Sequence, residues 1–184
     1  MDARLASAED KMGKAVEVLH RELSTIRAGK ATAALLDNVK VDYYGTPTPV
    51  KQVASISVPE ARLLVVQPWE KNMLQPVAKA IQASDLGLNP QDDGNVLKIP
   101  IPYLNEERRR EQEKLAHKLG EEGRVAVRNA RRDAIDQLKK AQKDGEIPED
   151  DSRRLVDQVQ KLHDRFVGQI EEIIKKKEAE MMEV

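Results

Sequence analysis

The sequence predicts an α+β fold: an antiparallel three-helix bundle with a small domain of strands and one short helix inserted after the first helix. Three observations carry this. Residues 104–143 contain no proline, and Leu115, Leu119, Ala126, Ala130, Ala134, Leu138 and Ala141 recur at intervals of three, four or seven, the spacing of an amphipathic helix. Such a helix is roughly 60 Å long, so its apolar stripe needs other long helices to cover it. Residues 2–29 and the segment from Glu149 onward supply matching stripes, while the composition between them changes to alternating apolar and polar residues.

In the first helix Leu5, Ala8, Met12, Val16, Leu19, Leu23 and Ile26 step by three or four, and Gly29 supplies a stop where φ > 0 is often required. Residues 38–44 (NVKVDYY) alternate as a strand does, and Gly45, Pro47 and Pro49 are expected to end it. Residues 53–58 and 62–67 are two further strands separated by Pro59 and Glu60. A short helix over 70–83 turns Met73, Leu74, Val77, Ala78 and Ile81 inward, with Pro76 tolerable only in its first turn. A turn-rich connector then leads to VLKIPIP, a last strand that Pro100 and Pro102 confine to an edge or an exit. Asn105 is placed to cap the long helix, followed by Glu106 and Glu107 in its first turn. Gly145 and Pro148 reverse the chain, and the third helix carries Leu155, Val159, Leu162, Phe166, Ile170 and Ile173 at helical spacing.

The bundle is therefore expected from residues 1–29 and 105–184, with residues 30–104 as the insert. Two short irregular segments, at Gly29 and at Pro100 with Pro102, join them, which predicts a hinge there.

Composition narrows the chemistry. Aromatic content is 3%, so the core is aliphatic, and the absence of cysteine excludes disulfides and thiol catalysis. The charged start MDARLASAED and the lack of any long apolar run point to a cytoplasmic protein without signal peptide or membrane anchor. His20, His117 and His163 have no second ligand at i+3 or i+4, and no glycine-rich stretch has phosphate-loop spacing. No nucleophile and base pair can be named, so neither catalysis, metal nor cofactor is expected. The single tryptophan, Trp69, follows a strand and is expected to be half-buried against the insert's helix, with Tyr43, Tyr44 and Tyr103 in structural roles.

The long helix also has an uneven polar side. Arg110, Lys114, Arg124, Arg128, Arg131, Arg132 and Lys139 fall within one arc of roughly 100° when each residue advances about 100°. Over 104–143 there are twelve Lys or Arg against eight Asp or Glu, although the whole chain carries a net charge of -1. A solvated, ion-paired face is the simplest account of such a run. Four arginines within nine residues, from Arg124 to Arg132, argue for more, because the guanidinium fork fits phosphate.

These residues resemble bacterial ribosome recycling factors over nearly the whole chain. The resemblance is carried by RAGKA at Arg27 to Ala31, YYGTPTP at Tyr43 to Pro49, SDLGLNP at Ser84 to Pro90, LNEERRRE at Leu104 to Glu111 and RVAVRNARRDA at Arg124 to Ala134. Ala28, Lys30 and Asn105 depart from the commoner Thr, Arg and Thr; Lys30 keeps the charge without the fork, and Asn105 keeps the capping oxygen.

The resemblance implies an L-shaped pair of domains, a helical bundle and an inserted β/α/β domain. It also implies a translation factor that, with elongation factor G and GTP, disassembles the post-termination ribosome so that subunits, mRNA and tRNA are recycled. The implied partners are the large ribosomal subunit, through its rRNA, and elongation factor G, with no small-molecule substrate, and a monomer is expected. Carried over by position, the rRNA-facing residues are Arg27, Arg128 and Arg131, with Arg109, Arg110, Arg124 and Arg132 as weaker candidates. The two-stranded hinge comprises Gly29, Lys30, Ala31, Pro102, Tyr103 and Leu104. A helical scaffold for protein partners and a general RNA binder are the alternatives the residues leave open.

Overall fold

A computed structural model describes residues 2–26 and 29–182. Four α-helices, α1 (Ala3–Ser24), α2 (Leu74–Gln82), α3 (Glu106–Lys143) and α4 (Glu149–Met182), accompany six strands. The strands are β1 (Lys40–Tyr43), β2 (Thr46–Pro49), β3 (Ala54–Glu60), β4 (Leu63–Pro68), β5 (Gln91–Asp92) and β6 (Leu97–Pro100). Chain contacts divide these into two compact units, Met1–Leu23 with Glu113–Glu183, and Ser24–Gln112.

The first unit is three packed helices. Arg4 pairs with Glu146, Lys11 Nζ lies 3.8 Å from Asp133, and Leu19 faces Gly123, so α1 and α3 run in opposite directions. His117 pairs with Glu178 and Arg131 with Gln160, so α3 and α4 are antiparallel as well. The reversal between them is a Schellman cap. Gly145 has φ +75°, its N–H donates to Gln142 O at 3.1 Å, and Glu146 N–H donates to Ala141 O at 2.9 Å.

The buried face of α3 is rotated from the expected one. Ala116, Gly120, Gly123 and Val127 are buried, while Leu115 is 40% exposed and Ala126 faces solvent. Only from Ala130 onward, through Ala134, Leu138 and Ala141, do the expected and observed seams coincide. The reason is steric at Gly120, where a Cβ would stand 2.0 Å from Ile174 Cδ1; at Gly123 a Cβ would meet Ile170 Cδ1 at an ordinary contact distance of 3.4 Å. Small residues admit α4 closely, and larger aliphatics one position away are turned out. On α4 the seam reaches Ile174 in place of Ile173, and the Ile174 side chain fills the space over Gly120.

The second unit has its own core. β3, β4, β6 and β5 form, in that order, an antiparallel sheet, with Ile56 opposite Val66 and Leu64 opposite Ile99. Leu64 and Val66 on β4 and Leu97 and Ile99 on β6 alternate inward and join Met73, Leu74, Val77 and Ile81 from around α2 in one aliphatic cluster. Pro76 sits in the first turn of α2, and Pro100 is the last residue of β6, past its pairing with β5.

One strand is not predicted by the sequence. Residues 46–49 form β2, paired with β1 around Tyr44 and Gly45, both at positive φ, 49° and 85°, as a two-residue hairpin turn requires. Pro47 and Pro49 stand opposite Asp42 and Lys40, alternating with the bonded positions, since Val50 N–H donates to Val39 O at 3.1 Å. Their missing N–H groups therefore leave the ladder intact. Asn105 caps α3, its Oδ1 accepting from Arg108 N–H at 2.8 Å.

The close seam makes a paired prediction. Gly168, inside α4, has open space at its Cβ position, so Gly168→Ala should stabilise the protein by up to about 1 kcal/mol through helix propensity. Gly120→Ala should instead cost a net of about 1 kcal/mol or more, because overpacking outweighs that gain. Urea denaturation of both variants measures the difference, and a stabilised Gly120→Ala would refute the seam.

Candidate nucleic-acid interface

The rotation that buries Gly120 and Gly123 places Arg131 and Arg124 at the α4 edge of the seam, with Arg128 beside them and Arg132 exposed further round the helix. Arg124 Nε donates to Glu121 Oε2 at 2.9 Å and an Arg128 amino group donates to Oε1 of the same carboxylate. Glu121 thus gathers two guanidiniums side by side, and its carboxyl is held below the usual value of 4.5, mainly by Arg124 with help from Arg128. These side chains stay 27% and 44% exposed, and ion pairs at such a surface are worth only about 0–1 kcal/mol. A phosphate offering its own oxygens can therefore replace Glu121 at little cost.

Arg131 reaches across to α4, where its Nη1 donates to Gln160 Oε1 at 3.1 Å. Arg132 is exposed and has no ion-pair partner among the described residues. Asp133 is turned the other way, toward Lys11 on α1. The flank thus sets four guanidiniums against one directly paired carboxylate, more than a neutral, self-paired face would carry.

The other predicted positions lie elsewhere. Arg110 belongs to the second unit and forms an exposed pair with Glu106 at 2.6 Å. Arg109, half-buried in the same unit, has a shielded Nε without a partner among the described residues. Arg27, and with it Ala28, lies outside the described residues.

Gly29, Lys30, Ala31, Pro102, Tyr103 and Leu104 are all within the second unit, in two segments that run side by side. Gly29 adopts φ +77°, and a Cβ there would stand 3.8 Å from Leu104 Cγ. Both segments are tied to the β3–β4 turn: Ala31 N–H donates to Ala61 O at 2.7 Å and Ile101 N–H to Arg62 O at 2.8 Å. The Arg62 guanidinium also covers the exposed ring of Tyr103.

The surface around Trp69 differs from the expected one. Trp69, expected to be half-buried, is 67% exposed, and the neighbouring Glu70 accepts hydrogen bonds from both Tyr43 and Tyr44. The Tyr43 bond, followed by that of Tyr44, lowers the Glu70 carboxyl, and the same bond raises the Tyr43 hydroxyl. Strand parity would have revealed the exposure. Leu64, Val66 and Pro68 are buried at every second position, so Trp69 takes the opposite face.

Among the described residues no group of three His, Asp or Glu side chains could hold a metal ion, and no helix is long and apolar enough to cross a membrane. Three long helices carrying a cationic flank, together with a small β unit, define a two-unit α+β protein with arginines open to solvent along one helix. The family model for ribosome recycling factor matches residues 19–182. The ribosome-recycling factor of Geobacillus kaustophilus is 57% identical over 180 residues, 98% of this chain and 97% of its own. A solution structure of a ribosome recycling factor superimposes with a TM-score of 0.79 at 41% identity, covering 98% of this chain and 96% of that one. A second structure places models of the T. thermophilus ribosome recycling factor and the E. coli elongation factor G on the E. coli post-termination complex. It matches with a TM-score of 0.69 at 43% identity over 97% of each chain. The chain belongs to the ribosome recycling factor family.

Proposed function

We propose that this chain binds the post-termination ribosome in the cytoplasm and, with elongation factor G and the GTP hydrolysed by that partner, promotes its disassembly. Subunits, mRNA and tRNA are thereby released for reuse. The protein contributes no catalytic group of its own; its part is to dock and to transmit force. The observation that carries this reading is the α3 flank, where Arg124, Arg128, Arg131 and Arg132 face a single directly paired carboxylate in a member of this family. In the reading, these side chains grip large-subunit rRNA through phosphates, which position a protein without requiring base identity. Arg27 and Arg110 are further contacts. A related factor has been placed with elongation factor G on a post-termination complex, which supports the same pair of partners here.

The second unit is the part proposed to move. Gly29, Lys30 and Ala31 on one strand of chain, and Pro102, Tyr103 and Leu104 on the other, lie outside regular helix and strand, which suits them to a two-stranded hinge. Residues 1–29 with 105–184 then act as a lever and 30–104 as the jointed domain. The protein works as a monomer.

Sedimentation with purified large subunits, with and without unrelated structured RNA as competitor, tests the docking. Wild-type protein should co-sediment, lose affinity steeply with salt and resist the competitor. Arg131→Ala should bind about ten-fold or more weakly, as loss of a charged hydrogen bond predicts, with its thermal unfolding unchanged. Equal binding to any structured RNA would favour a general RNA binder, and no binding at all a helical scaffold. For the hinge, small-angle scattering across a range of buffers should require more than one arrangement of the two units. A single arrangement fitting every profile would remove it.

A further inference from the structure

Arg131 is held differently from its neighbours. Arg124 and Arg128 lean on a carboxylate, whereas Arg131 meets the neutral amide of Gln160, half-buried on α4. That amide has a second partner: Gln160 Nε2 donates to Asp164 Oδ1 at 2.9 Å. Its orientation is dictated by chemistry, since a guanidinium can only donate and a carboxylate can only accept. Oε1 must face Arg131 and Nε2 must face Asp164. Asp164 is fixed in turn by His163, whose Nδ1 lies 3.0 Å from the same Oδ1 and whose side chain is only 15% exposed. Arg131 Nε is shielded from solvent and has no partner among the described residues. One end of this guanidinium is therefore packed away and the other is aimed by α4.

We propose that Gln160 is a positioning residue for Arg131, an amide relay that orients the guanidinium toward ribosomal phosphate while keeping Asp164 one hydrogen bond away. The inference rests on the reading of the α3 flank as the RNA-facing surface. A carboxylate in place of the amide would orient the side chain equally well but would also neutralise it. The relay separates these two effects: Asp164 fixes Gln160, Gln160 fixes Arg131, and the positive charge stays available. Arginine suits the position because its planar fork can give Nη1 to Gln160 and still present other N–H groups to phosphate. The proposed surface thereby extends from α3 onto α4, to Gln160 and Asp164.

Gln160→Glu tests the relay, because it keeps the shape and sets a carboxylate against Arg131. Binding to purified large subunits should weaken about ten-fold at low salt, and the slope of log affinity against log salt should fall by about one as one phosphate contact is lost. In an Arg131→Ala background the same change should have no further effect. A merely structural role for Gln160 would leave the salt slope untouched and its effect independent of Arg131. Thermal unfolding reports whether the bundle survives. Should Gln160→Glu unfold it, Gln160→Met, which keeps the volume and carries no charge, must still weaken binding several-fold. If Arg131→Ala weakens binding but the Gln160 variants bind as wild type, the relay is wrong and the docking surface stands. If Arg131→Ala itself binds as wild type, the docking assignment of that residue fails, and the relay with it.

Discussion

The close approach of α4 to α3 at Gly120 and Gly123 is the constraint on which the rest of the first unit depends. A helix of this length can present any of its faces to a partner, and the choice is made where the largest steric penalty lies. With Ile174 seated where a Cβ on Gly120 would be, the rotation of α3 is settled, and every side chain along its helical part in this unit inherits a fixed bearing. Ala116, Val127, Ala130 and Ala134 turn inward. Arg124 and Arg131 fall beside α4 with Arg128 next to them, and Leu119 and Ala126 line a shallow groove against Val18 of α1. Interiors are close-packed and yield little to such contacts, so the missing methyl group at Gly120 bears on which chemistry faces outward.

Two arrangements then organise the charge. Glu121 draws Arg124 and Arg128 together in an exposed pair weak enough to be exchanged for phosphate. On the other side an amide stands between Arg131 and the nearest acid of α4. The first arrangement prevents two like charges from splaying apart in the free protein. The second holds a side chain in place without spending its charge. In the proposed docking both would reduce the ordering cost, which is the usual benefit of a surface prepared before its partner arrives. The small unit presents a different surface, where Trp69 and Tyr44 are exposed and Glu70 binds both Tyr44 and the half-buried Tyr43.

Much of this was legible in the residues. The three helical stripes, the cap at Asn105, the reversal at Gly145 and the inward face of α2 all follow from spacing and from local backbone chemistry. The arc containing Arg124 to Arg132 was equally readable, because charge on a helix follows the same period as burial. The N-terminal half of the α3 seam was not, because periodicity weights large aliphatic residues. Leu115 and Leu119 outscore Ala116 and Gly120 until the position of Ile174 is known. β2 was hidden by its two prolines, which become acceptable only once register places them between the bonded pairs. Gln160 carries no sequence signal of its own, since its role exists only through a contact 29 residues away on another helix.

The central claim is that the arginine flank of α3, and not the α1 side of the bundle, faces ribosomal RNA. The chain contains no cysteine, so a single introduced thiol can carry a tethered iron chelate for hydroxyl-radical cleavage of RNA. Lys139→Cys places the probe on the flank, and Val18→Cys places it beside the groove between α1 and α3. On post-termination ribosomes the account predicts strong cleavage of large-subunit rRNA from position 139 and weak or no cleavage from position 18. The reverse pattern would contradict it.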